Sequence, residues 1–189
     1  MRRCLAGGNL IVSSGAVTTG TMVSDGGNVY VFSGAVAANT VLNGGYELAY
    51  AGSTVSGATI SGGALELQNG VNGASTFDFA SGGMLTLDGT RTYNILVAGF
   101  TSPTAEIDLK SVNYARATVS FAEASNNISG TLTISDGTNS ASILLLGNYV
   151  AGAASFTLSK DSGTGTVVYD PLQMVEMAQS LLAAPPNKA

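Results

Sequence analysis

The sequence predicts an all-β fold: a parallel, right-handed β-helix (β-solenoid), closed by a β-rich C-terminal cap and followed by a short terminal helix. Three observations predict it. Glycine pairs stand at Gly7/Gly8, Gly26/Gly27, Gly44/Gly45, Gly62/Gly63 and Gly82/Gly83, at intervals of 19, 18, 18 and 20 residues. A small or polar residue followed by glycine returns at a fixed distance from each of the first four pairs, as Ser14-Gly15, Ser33-Gly34, Ala51-Gly52 and Asn69-Gly70. Between these marks, apolar and polar side chains alternate. Fixed internal periods of this size mark a solenoid, in which a single turn has no interior of its own and stacked turns share one core.

The first arm of each unit is a short strand. Leu10/Val12, Val29/Val31, Leu65/Leu67 and Leu85/Leu87 place apolar side chains two apart, so both point to one face. One unit departs, with Glu47 and Ala49 in those columns. There, either Leu48 and Tyr50 turn inward by a one-residue shift, or the core narrows. In the looser second arm, Val23, Val41, Ile60 and Phe79 are the apolar positions that precede the next pair. The paired glycines are the structural corners, supplying positive φ or close approach between turns. The resulting organisation is a solenoid of about five coils of 18–20 residues over 1–92, a β-rich capping module over 93–170, and a helix and tail over 171–189.

In the second half the glycine pairs stop. Alternating strand candidates follow at 117–121, 130–135, 140–146, 155–159 and 165–170, separated by the turn signals Asp136-Gly137, Gly147-Asn148 and Ser162-Gly163. This half is expected to cover the last coil, because an open solenoid end is a sticky strand edge. The stretch "DPLQMVEMAQSLLAAPP" reads as a helix: Asp170 caps it, Pro171 suits its first position, and Pro185-Pro186 ends it. Packing on the cap, binding a partner and signalling secretion are all open roles for that helix.

Composition narrows the function. Of the 189 residues, 45% are hydrophobic and only 10% charged, and the net charge is -5. The seven basic residues are scattered, with Arg91 alone between Cys4 and Leu109, so no basic stripe suits nucleic acid. No apolar run reaches the 18 or so residues of a membrane-spanning helix, and Gly7, Gly8 and Asn9 interrupt the N-terminal apolar residues before a signal-peptide core forms. The single Cys4 has no intramolecular partner. Histidine is absent, which removes the usual base of a nucleophile triad and the commonest transition-metal ligand. No cofactor or metal is expected.

Two other repeat classes fit less well. A left-handed hexapeptide-repeat helix also has about 18 residues per coil, but the longer spacings and double-glycine corners suit it poorly. Calcium-binding nonapeptide repeats need a third Gly and an Asp, which "GGNVYVFSG" and "GGALELQNG" lack. No regular Thr-x-Thr ladder supports an ice-binding face.

The pattern in "GGNVYVFSGAVAANTVLNGG" resembles the AIDA-type adhesin repeat of bacterial autotransporter passengers and related large surface proteins, over about residues 7–90. The segments "GFTSPTAEIDLKSVNY" and "SGTLTISDGTNSASILLLGNY" resemble a module that follows such repeats in large secreted repeat proteins. The resemblance implies an extracellular or bacterial cell-surface location and, for Ser and Thr, O-linked sugar addition.

Candidate sites are few. Glu106 and Asp108 alternate on a predicted strand and, with Glu123, are the candidate catalytic carboxylates, since paired carboxylates can cleave glycosides. No Trp is present to stack a sugar. Solvated edge charges are the simpler reading. Asp25, Asp88, Asp136 and Asp161 each lie beside or near glycine in a turn, where Asp bonds its own backbone; peripheral Ca²⁺ is the alternative. Tyr30, Phe32, Tyr46 and Tyr50 fall on adjacent coils as a candidate exposed aromatic strip, with core or stacking roles as the alternative.

The functional expectation is a non-enzymatic, extracellular segment of an adhesin-like protein. It would bind a cell-surface or extracellular ligand such as a glycan, or associate with itself, through its lateral face. A polysaccharide-cleaving β-helix and a structural spacer or self-assembling fibre subunit are the alternatives.

Overall fold

The computed structural model describes residues 3–4, 7–72, 75–89, 92–125, 128–147, 149 and 156–170. The strands in chain order are β1 (Arg3–Cys4), β2 (Asn9–Val12), β3 (Val17–Thr19), β4 (Met22–Ser24), β5 (Asn28–Val31), β6 (Val36–Asn43), β7 (Tyr46–Ala49), β8 (Thr54–Ser61) and β9 (Ala64–Leu67). They continue as β10 (Ser75–Phe79), β11 (Gly83–Leu87), β12 (Thr92–Ala98), β13 (Ala105–Leu109), β14 (Thr118–Glu123), β15 (Ser129–Ser135), β16 (Ser140–Leu146), β17 (Thr157–Lys160) and β18 (Thr166–Tyr169). The predicted terminal helix over 171–189 lies outside the described residues.

The fold is the predicted β-solenoid, of about five turns. Two sheets face each other across the core. The first-arm strands stack in parallel as β2-β5-β7-β9-β11-β13, and the second-arm strands as β4-β6-β8-β10-β12. In the first-arm sheet the register is unbroken: Leu10, Val29, Glu47, Leu65, Leu85 and Ile107 form one inward column, and Val12, Val31, Ala49, Leu67, Leu87 and Leu109 the next. Apart from Glu47 and the half-buried Leu10, all of these side chains belong to one buried apolar cluster, the core.

The third coil therefore keeps its register. Glu47 pairs with Val29 before it and Leu65 after it, and points inward with no exposed surface. Leu48 and Tyr50 stay outside. A slip of one residue would have turned Tyr46, Leu48 and Tyr50 over and broken the glycine corners of that coil.

In the second-arm sheet the inward column is Val23, Leu42, Ile60 and Phe79. Leu42 takes the place expected of Val41, which is only partly buried. Coils of different length place this residue two or three positions before the next pair, so a fixed offset misassigns it.

Each of the first three coils has a third corner that the glycine-pair spacing does not announce. Gly20, Asn39 and Gly57 have φ of 61°, 52° and 81°, and each lies thirteen residues after the first glycine of its own pair. Asn is the non-glycine residue best able to hold this left-handed backbone. The corner bends the second arm, so that its first half (Thr18, Ala37, Val55) and second half (Val23, Leu42, Ile60) both reach the core.

Parallel stacking runs beyond residue 92, where the glycine pairs stop: β12 lies on β10, and β13 on β11. Gly99, with φ of 66°, supplies a left-handed corner there without a neighbouring glycine. Antiparallel strands then close the end. β18 and β17 continue the first-arm sheet, while β16 runs parallel to β12 and carries β15 and β14 as an antiparallel meander. Phe121, Tyr149 and Phe156 pack together beneath this meander, with ring centroids 5.5–5.9 Å apart.

Candidate functional site

The outer face of the first-arm sheet is where in-register columns bring distant residues together. Its outward columns are Asn9, Asn28, Tyr46, Ala64, Met84 and Glu106, then Ile11, Tyr30, Leu48, Glu66, Thr86 and Asp108. A third column begins with Phe32 and Tyr50, whose rings stack at 4.7 Å with planes 18° apart. The face divides along the axis. In the second and third columns its first coils are aromatic and aliphatic, with Ile11 62% and Phe32 41% exposed. In those columns its later coils are polar and charged.

The predicted aromatic strip is thus real as a spatial group: Tyr30, Phe32, Tyr46 and Tyr50 occupy neighbouring outward positions on β5, β7 and the turns that follow them. Tyr46 also crosses to the charged half, donating its hydroxyl proton to Glu66 Oε2 at 2.6 Å. Burial, and then the Glu66 carboxylate, push the Tyr46 phenol well above its ordinary pKa. Lys110 Nζ donates to the other Glu66 oxygen at 2.6 Å. Burial opposes ionisation of Glu66, but the hydrogen bonds from Lys110 and Tyr46 outweigh it and hold the carboxyl below its usual range.

Glu106 and Asp108 share this outer face, as their alternation on β13 predicts. Asp108 is 7% exposed, and its Oδ1 has no hydrogen-bond partner among the described residues. Desolvation, and then the charge of Asp161, raise its pKa to about 6, against the pull of Lys110. Glu123 does not join them. It sits at the last residue of β14, the edge of the other sheet, near Tyr149, whose pKa is raised by burial first, then by Asp170 and Glu123. Among the described residues, no group of three or more Asp, Glu, His or Cys side chains is placed to hold a metal ion.

Two of the turn aspartates, Asp136 and Asp161, do structural work. Asp136 Oδ1 accepts the backbone N–H of Thr138 at 2.8 Å and of Asn139 at 2.6 Å, closing the β15–β16 hairpin. Its Oδ2 accepts the N–H of Asn113 at 2.8 Å, which ties that hairpin to the loop after β13. Hydrogen bonds from Asn113, Asn139 and Thr138 keep this carboxyl far below the usual range. Asp161 Oδ1 accepts from Gly163 N at 2.7 Å in the β17–β18 turn.

Beside the aromatic columns, the double-glycine corners form a shallow groove of about 420 Å³. Gly45 and Gly63 line it, with Asn28, Tyr46, Met84 and Glu106 among its other side chains. The missing β-carbons create the depression. Even so, the corners themselves remain necessary: a β-carbon on Gly63 would lie 2.5 Å from Gly45 O and 2.9 Å from Leu42 Cβ. Sequence reasoning missed this groove, the Tyr46–Glu66–Lys110 chain and the burial of Glu47. The first two follow from register, and the only signal of the third was an acid in an apolar column.

No family model, curated protein or solved structure matches the chain. No described helix is long and apolar enough to cross a membrane.

Proposed function

We propose that this chain is a non-enzymatic, extracellular β-helical segment of a bacterial surface or secreted adhesin-like protein, binding its ligand through the outer face of the first-arm sheet. The observation that carries the reading is the in-register patch of Ile11, Tyr30, Phe32, Leu48 and Tyr50 on consecutive coils. A regular scaffold that presents similar groups once per coil, about 4.8 Å apart, suits an extended ligand such as a glycan. Affinity then accumulates over many weak contacts. The AIDA-like repeat supports the location and the adhesive role.

A second reading, a polysaccharide-cleaving β-helix, has one observation in its favour: the raised pKa of Asp108 beside Glu106 and Asp161, the kind of shift that equips a general acid. The test is a glycan-array binding screen run alongside a polysaccharide turnover assay. Binding without turnover supports the adhesive reading; turnover lost in Asp108→Asn supports the enzymatic one.

A further inference from the structure

Among the described residues, the solenoid core holds one acid. Glu47 occupies the inward column between Val29 on β5 and Leu65 on β9, with no exposed surface, and neither carboxyl oxygen has a hydrogen-bond partner among the described residues. The second-arm sheet turns Thr40, Leu42, Ala58 and Ile60 into the same interior. Thr40 Oγ1 is itself buried without a hydrogen-bond partner among the described residues, and Thr40 favours ionisation of Glu47 against the larger effect of burial.

No charge answers this acid from the strands packed around it. Strands β4, β6 and β8 contain no ionisable residue. Tyr30 on β5, Tyr46 on β7 and Glu66 on β9 all stand at outward register positions. A carboxylate in such surroundings loses its hydration with nothing to replace it, whereas a neutral carboxylic acid loses far less.

We propose that Glu47 is a proton-dependent latch on the coil stack: uncharged, it completes the apolar column and lets the third coil sit between its neighbours; ionised, it loosens that coil. The outer side of the same strand carries Tyr46 and Leu48, and Tyr50 follows it directly. Proton loss inside would therefore disorder part of the aromatic face outside. That last consequence for ligand binding rests on the adhesive reading above; the latch does not.

The direction of the pH effect follows from linkage. Burial raises the folded-state pKa of Glu47 from 4.5 to about 7. Its contribution is fully present below the ordinary glutamate value and is lost as pH rises toward and through about 7, because the unfolded chain gives up this proton first. Opening of the third coil should then become more favourable by on the order of a hundredfold between pH 5 and pH 8.

Hydrogen exchange on the whole chain, resolved by coil and corrected for intrinsic rates, tests this. In the wild type, amides of β5, β7 and β9 should lose protection as pH rises, while those of the β15–β16 hairpin stay level. Asp108, the other raised carboxyl among the described residues, lies on β13, so coil-resolved data separate the two groups. Glu47→Leu continues the Val29–Leu65 column and should hold protection of the third coil constant across the range; Glu47→Gln should also flatten the response. A wild-type third coil whose protection does not change with pH would overturn the proposal. So would a Glu47→Leu chain that keeps the wild-type pH response. Should Glu47→Gln not fold, the wild-type and Glu47→Leu profiles decide the matter.

Discussion

The Tyr46 hydroxyl donates to Glu66 across the boundary between the third and fourth coils, at 2.6 Å. Through the second oxygen of Glu66 the link continues to Lys110, 44 residues further on. Three coils are thus pinned on their outer face by one carboxylate, which sits where the surface turns from aromatic to charged. Structure and recognition share these residues, and their contributions can be separated by substitution.

Removing the phenolic hydroxyl in Tyr46→Phe should cost about 1 kcal/mol, read as a lower urea midpoint with an unchanged slope. Breaking the partly exposed Lys110–Glu66 pair in Lys110→Met should cost less, about 0.5 kcal/mol, and less still in high salt. Glu66 has a lowered folded-state pKa, so its contribution is present at neutral pH and lost on acidification. The Tyr46→Phe and wild-type curves should therefore converge as the pH falls.

The two glycines of a corner pair should respond differently to substitution. Gly62 has φ of 72° with open space around its missing β-carbon, so Gly62→Ala costs the left-handed backbone penalty, about 1–2 kcal/mol, and Gly62→Asn less. Gly63 needs no positive φ, but its β-carbon would collide with the preceding coil. Gly63→Ala should cost about 3 kcal/mol, and Asn should offer no relief. Chemical denaturation of the four proteins, Gly63→Asn included, checks both the order and the asymmetry.

Asp136→Ala should lower the melting temperature more than Asp25→Ala, because Asp136 alone closes a hairpin and ties it to a second loop. Its lowered pKa means that this contribution survives mild acid and is lost only as pH falls toward its folded-state value. Melting curves at pH 7 and pH 3 should show the gap between wild type and Asp136→Ala narrowing at the lower pH.

Asp108→Asn should stabilise the chain. The raised pKa near 6 means that the wild-type carboxyl is charged at pH 8 against burial and Asp161. Removing that charge should gain about 1 kcal/mol at pH 8, after allowance for solvent screening, and little at pH 4.5. Paired denaturation curves at the two pH values check the sign.

Much of the fold was legible because its strongest rules are local. Glycine pairs and the period-two alternation of Val29/Val31 or Leu65/Leu67 are visible without knowing what touches what. The third corner was hidden because Asn39 replaces glycine in its middle coil. The extension past residue 92 was hidden because single Gly99 does the work of a pair. The candidate site was less legible. Glu106 and Asp108 share a face by simple alternation, but the exclusion of Glu123, the Glu66–Lys110 pair and the partners of Asp136 are set by which coil stacks on which. No spacing rule within one strand reports that.

The central claim, that the corner glycines are scaffold and recognition belongs to the outward side chains between them, is tested most directly by one binding measurement. Titration of a glycan-array hit against the wild type and against Tyr30→Ser/Phe32→Ser/Leu48→Ser/Tyr50→Ser, both confirmed folded by circular dichroism, should show binding weakened at least tenfold in the variant. A folded variant that binds as tightly as the wild type would contradict the account.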